Sequence, residues 1–110
     1  MTGKATFAKR LRDAREAKGI SQKQLGILAG IDQFVASARI NQYEREKHVP
    51  DLLMAERLAQ ELGVPVSFFY EPHENLARLL QLAGGLQPDR LQALIRQLSD
   101  ELQLDRKSVV

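Results

Sequence analysis

The feature that most restricts this chain is its punctuation. Apolar residues recur at three- and four-residue spacing from about residue 5 to residue 102, and Gly or Pro repeatedly cuts the pattern into short runs. No stretch alternates as a half-buried strand would, so an all-α fold of several short helices is expected. The first run carries Phe7, Leu11 and Ala14, spans about residue 5 to Lys18 and stops at Gly19. Ser21, with Gln24 three residues on, forms a capping box for a second helix whose buried stripe is Leu25, Leu28 and Ala29 and whose end is Gly30. Asp32 is placed to cap a third helix, with Val35, Ile40 and Tyr43 facing inward and Pro50 forbidding continuation. Asp51 caps a fourth helix, where Leu52, Met54, Ala55, Leu58, Ala59 and Leu62 make a broad apolar face before Gly63. A short turn at "PVSFFY" then returns Phe68 and Phe69 to the core.

Beyond Glu71-Pro72 the pattern narrows. Two further helices are expected, separated by Gly84-Gly85 and Pro88. The first shows Leu76, Leu79, Leu80 and Ala83; the second shows Leu91, Leu94, Ile95, Leu98 and Leu102, a spacing that fits a narrow leucine seam. Such a seam either packs back on its own chain or joins two copies, and a homodimer interface is the expectation. The closing "DRKSVV" is expected to fray.

Charge divides the chain. Residues 1–50 hold ten Lys/Arg against five Asp/Glu, a net +5, whereas residues 51–110 hold six against nine, a net −3. A polyanion meeting only the first half would match this distribution. The chain has no cysteine, which excludes disulfides and thiolate metal sites. No signal peptide and no membrane-length apolar run is found, so a soluble, cytoplasmic protein is expected. His48 and His73 lie far apart with no ligand pattern around them, so neither metal nor cofactor is expected. No nucleophile, paired acid or Gly-rich phosphate loop suggests an enzyme.

The basic half contains an unusual helix. "GIDQFVASARINQYEREKHVP", residues 30–50, is poor in large apolar residues yet carries Ser37, Arg39, Asn41 and Gln42. Two short helices joined by a small-residue turn, with a polar segment second, are the parts of a helix-turn-helix. The major groove of B-DNA admits one helix and displays base-edge donors and acceptors. Arg39 has the fork to bond guanine, and Asn41 or Gln42 the amide to bond adenine, each good pairing contributing roughly 1–3 kcal/mol of discrimination.

Residues 6–70 resemble the Cro/CI-type (XRE-like) helix-turn-helix domain of phage and bacterial repressors. The likeness is carried by Arg15 four residues before Gly19, "SQKQLG" at 21–26, Gly30, "INQYEREKHVPD" at 40–51, "LAQELGVP" at 58–65 and the aromatic close "FFY". It implies a lambda-repressor-like five-helix DNA-binding domain at residues 1–71 and a C-terminal helical extension at 72–110. It further implies that the third helix meets base edges through Ser37, Ala38, Arg39, Asn41 and Gln42, with Gln33 an added candidate. Phosphate contacts then fall to Gln22, Lys23, Arg45 and Lys47, and Arg15 with Glu44 forms a partly buried ion pair. The partner so implied is double-stranded DNA, bound by a homodimeric regulator, most often a repressor. A protein-interaction module such as an antitoxin, binding DNA secondarily, is the alternative.

Three departures bear on that resemblance. Gly30 to Glu44 is about four residues longer than usual, and "DQFVAS" holds the surplus. Four residues are about one helical turn, so the third helix either gains a turn at its start, the expectation here, or follows a longer loop. Gly26 stands where alanine is usual, a cost of up to about 1 kcal/mol in a helix interior that close helix packing would explain. Glu46 stands where Gly usually follows the recognition helix, so the helix runs on or Glu46 is left-handed.

Overall fold

A computed structural model describes residues 2–103. Four α-helices and a 3-10 turn come first: α1 (Gly3–Lys18), α2 (Gln22–Leu28), α3 (Ala36–Glu44), α4 (Leu52–Leu62) and the turn Val66–Tyr70. α5 (Glu74–Ala83) and α6 (Pro88–Glu101) follow, and the described residues contain no strand. The all-α architecture read from the punctuation is the one observed. The closing "DRKSVV", expected to fray, lies outside the described residues.

The helices begin and end for local chemical reasons. Thr2 Oγ1 accepts the Ala5 N–H at 3.1 Å and starts α1 two residues earlier than its apolar spacing suggests. The Ser21–Gln24 capping box is reciprocal, at 3.0 and 2.8 Å, and Asp51 Oδ1 accepts the Met54 N–H at 2.9 Å. Each such cap contributes about 1 kcal/mol. Gly19 and Gly63 take φ of 73° and 70°, the left-handed region that closes α1 and α4.

The core joins Phe7, Leu11 and Ala14 of α1 to Leu25, Ile40, Tyr43, Leu58, Phe68 and Phe69. The Phe7 ring lies 4.9 Å from Phe69 and 5.6 Å from Tyr70, tilted in both cases, so the 3-10 turn is clamped to α1 by aromatic packing. Three residues expected inside are outside. Leu28 is exposed because α2 is only seven residues long and ends there, before Ala29 and Ile31 turn the chain inward. Val35 is exposed because the helical phase starts one residue later, with Ala36 fully buried in its stead. Leu52 keeps the right phase but is the first residue of α4 and stands outside the packed layer.

A buried arginine fixes where the second body departs. Arg10, only 2% exposed, donates to the carbonyls of Glu71 and Pro72 at 2.9 and 3.1 Å and to Glu74 Oε2 at 3.0 Å. The Arg10 hydrogen bond, with Lys9 nearby, holds the Glu74 carboxyl below the usual carboxylate range. A depressed folded-state value means this contribution is complete above the ordinary carboxylate pKa and fades as pH falls through the folded one. Beyond that latch, Ala77 is buried and Leu80 leans on the chain's own core. A Cβ on Gly84 would come within 2.6 Å of Pro65 Cδ, so the end of α5 is held close to the first body.

α6 is different. It takes no part in the sizeable packing interfaces of the chain. Leu91, Ile95, Leu98 and Leu102 are exposed, as are Leu76, Leu79 and Leu82 of α5, and Leu94 is half-buried. The radius of gyration is 15.9 Å, against about 13 Å for a compact chain of this length. No helix among the described residues is long and apolar enough to cross a membrane.

Candidate nucleic-acid interface

α2 and α3 cross unusually closely. A Cβ on Gly26 would lie 2.7 Å from Ala36 Cβ and 3.0 Å from its carbonyl oxygen, so only glycine allows this approach. That contact is the reason for glycine in the interior of α2, where it is otherwise costly. The Ile31 N–H returns to the Gly26 carbonyl at 2.9 Å, and Gly30 takes φ of 94° to make the bend.

The surplus residues form a turn, not helix. The Asp32 side chain accepts the Phe34 N–H at 2.9 Å and its carbonyl accepts the Val35 N–H at 3.1 Å. This Asx-type turn competes with a helical start, and α3 begins only at Ala36. The expected extra helical turn is therefore absent; the lengthened connection is what the chain adopts.

Within α3, Ala36, Ile40, Tyr43 and Glu44 face inward. Ala38, Asn41, Gln42 and Arg45 recur at the same helical spacing on the opposite side. Ser37, Ala38 and Arg39 are exposed, while Asn41 and Gln42 are half-exposed. Ser37 and Asn41 lie on the α2 side of that stripe. Arg39 lies on the α4 side, where it and Gln42 line an open groove of about 530 Å³ together with His48, Asp51 and Arg57. Gln33 is exposed in the preceding turn. Ala38, Asn41 and Gln42 thus share the outer face of α3, Ser37 and Arg39 flank it on opposite sides, and Gln33 precedes it in the turn.

The inward side is anchored by charge. Arg15 Nε and Nη2 bind Glu44 Oε2 and Oε1 at 2.6 and 3.0 Å, and Arg15 Nη1 donates to the Ile20 carbonyl at 3.0 Å. Glu44 is 5% exposed, so the pair is partly buried, and its hydrogen bond holds the Arg15 pKa above the ordinary value. This bidentate clasp ties α1 to α3 and fixes the rotation of α3. Gln22 Nε2 joins the same cluster, donating to Asn41 Oδ1 and Glu44 Oε1, each at 3.2 Å. One phosphate candidate is therefore already engaged within the protein. Lys23, Arg45 and Lys47 are exposed.

α3 closes with Glu46 at φ 63°, the left-handed alternative. The Lys47 N–H reaches the Gln42 carbonyl at 2.9 Å and the Glu46 N–H the Tyr43 carbonyl at 3.4 Å, a Schellman arrangement normally built around glycine. Arg10, Phe34 and Arg57 are the residues that sequence reasoning missed. Arg10 and Arg57 look like ordinary charges on helical faces, and only tertiary contacts distinguish them.

A short helix, a tight bend and a second helix clamped to a third element by a buried ion pair constitute a helix-turn-helix. The helix-turn-helix family model matches residues 11–69, and the chain belongs to that family. Its fold is similar to the crystal structure of the transcriptional regulator BswR, with a TM-score of 0.79 and 45% sequence identity. The match covers 84% of this chain and 92% of that one, so the likeness reaches well past the motif. No curated protein matches the chain.

Proposed function

We propose that this protein is a sequence-specific transcriptional regulator, repressing by occupancy of a pseudo-palindromic operator that it binds as a homodimer. The observation that carries the reading is the division of α3. Its inner side is locked to α1 and α2 by the Arg15–Glu44 clasp and the Gly26–Ala36 contact, whereas its outer side is polar and uncovered. The likeness to a transcriptional regulator supports it.

In this reading Ser37, Ala38, Asn41 and Gln42 face base edges, with Gln33 and Arg39 at the two margins. Gln22, Lys23, Arg45 and Lys47 meet phosphates and set register. Residues 72–110 form the dimerisation extension, whose exposed leucines meet those of a second copy and set the two recognition helices about one DNA turn apart. Doubling the module matters because one alone buries little surface on DNA.

Selection of bound duplexes from a random pool tests the whole reading. A palindromic consensus with half-sites about 10 base pairs apart is expected; recovery of no consensus would end it. Arg39→Ala should weaken the selected operator by about 10- to 100-fold, the worth of one bidentate base contact, while binding to random DNA changes little. Equal losses on both would reassign Arg39 to phosphate.

A further inference from the structure

Phe34 is 87% exposed, the highest value for a large apolar side chain among the described residues, and the packing of the domain makes no use of it. It lies in the segment by which this chain exceeds the usual connection between the two helices of the motif. Its backbone is fixed. The Asp32 side chain holds its N–H, the Asp32 carbonyl holds the Val35 N–H, and the Val35 carbonyl accepts the Arg39 N–H at 2.9 Å, joining the turn to the first turn of α3. The ring is thus carried two residues ahead of Ala36, between exposed Gln33 and exposed Ser37.

A recognition helix meets base edges chiefly with its N-terminal residues, and an exposed ring at that end of α3 is within their neighbourhood. The apolar group displayed there is the thymine C5 methyl. We propose that Phe34 is a specificity-determining residue whose ring packs on the methyl of a thymine at the α3 N-terminal edge of each half-site. The inference rests on the DNA-binding reading above. A second copy of the chain is the poorer occupant. The leucines suited to self-association belong to α5 and α6, whereas α3 packs on α2 and α1 within the half of the chain that carries net +5.

The test replaces each thymine of the selected operator by deoxyuridine, which deletes the methyl and keeps every hydrogen-bonding group. Fluorescence anisotropy at fixed salt should show the full-length protein losing about fourfold at one position per half-site, the worth of one buried methyl-sized group. Phe34→Ala should bind the intact operator at least that much more weakly and be indifferent to the methyl at that position. Phe34→Leu should keep part of the discrimination, and all three proteins should bind random DNA alike. The inference is overturned if Phe34→Ala keeps the wild-type methyl sensitivity or the wild-type operator affinity. It is equally overturned if sedimentation shows that Phe34→Ala shifts self-association, since the ring would then face protein. Failure of the wild type to select any duplex would instead bring down the regulator reading, and this inference with it.

Discussion

The first body and the C-terminal arm use the same kind of helix in opposite ways. Between α1 and the 3-10 turn, most apolar side chains are closed on one another in a core, with Leu28, Phe34, Val35 and Leu52 left outside it, and of the outward polar residues Gln22 and Asn41 are hydrogen-bonded within the protein. Along α5 and α6 the polar faces are equally solvated, but most of the leucines are uncovered as well, and α5 is held to the rest by buried Arg10, a glycine–proline contact and the packing of Ala77 and Leu80. The first region satisfies itself. The second is a face without an opposite, and its stability is tied to whatever covers it.

The strongest way to break that contrast is Arg15→Ala. It leaves the Glu44 carboxylate buried without its cation and should destabilise the first body by about 3–5 kcal/mol, read from denaturant unfolding. A loss under about 1 kcal/mol would show that the clasp is not what holds α3. Gly26→Ala should follow at about 1–3 kcal/mol, because the added methyl forces α2 and α3 apart; operator binding should weaken with it. Glu46→Gly should act in reverse, raising stability by up to about 1 kcal/mol through relief of a left-handed non-glycine residue. It should also bind DNA slightly more tightly, having removed a negative charge between Arg45 and Lys47. The smallest effect sharpens the contrast most. Ile95→Asp with Leu98→Asp should change unfolding of the dilute first body by less than about 0.5 kcal/mol, yet abolish self-association in sedimentation. Melting of the first body along with the arm would mean that α6 folds against its own chain.

Much of the fold is legible in the sequence. Gly19, Gly63, Pro50, Ser21 and Asp51 act through local backbone chemistry, which neighbours in space rarely override, so the helix order could be read directly. The Arg15–Glu44 pairing came from resemblance rather than spacing, and the geometry agrees with it. What could not be read depends on competition or on distant contacts. An added turn of helix after Asp32 would have preserved the phase of α3, and nothing local decides between it and the Asx turn that wins. Leu28, Val35 and Leu52 have the right residue type and nearly the right phase, but each sits at the edge of its element, where periodicity says least. Arg10 resembles any solvated arginine on a helix; the two carbonyls and the carboxylate that bury it lie about sixty residues further along.

If the proposed function holds, Gln22 carries a consequence for how one duplex is told from another. Both hydrogens of its side-chain nitrogen are committed, one to Asn41 and one to Glu44. A phosphate that claims a hydrogen must take it from one of them, and Glu44, sealed from water, has no solvent donor to turn to. Asn41 does: its oxygen can turn outward to a nucleobase. Landing on the sugar–phosphate rail and unlocking an amide for inspection of the sequence would then be a single exchange, so that scrutiny begins only once the rail has been gripped.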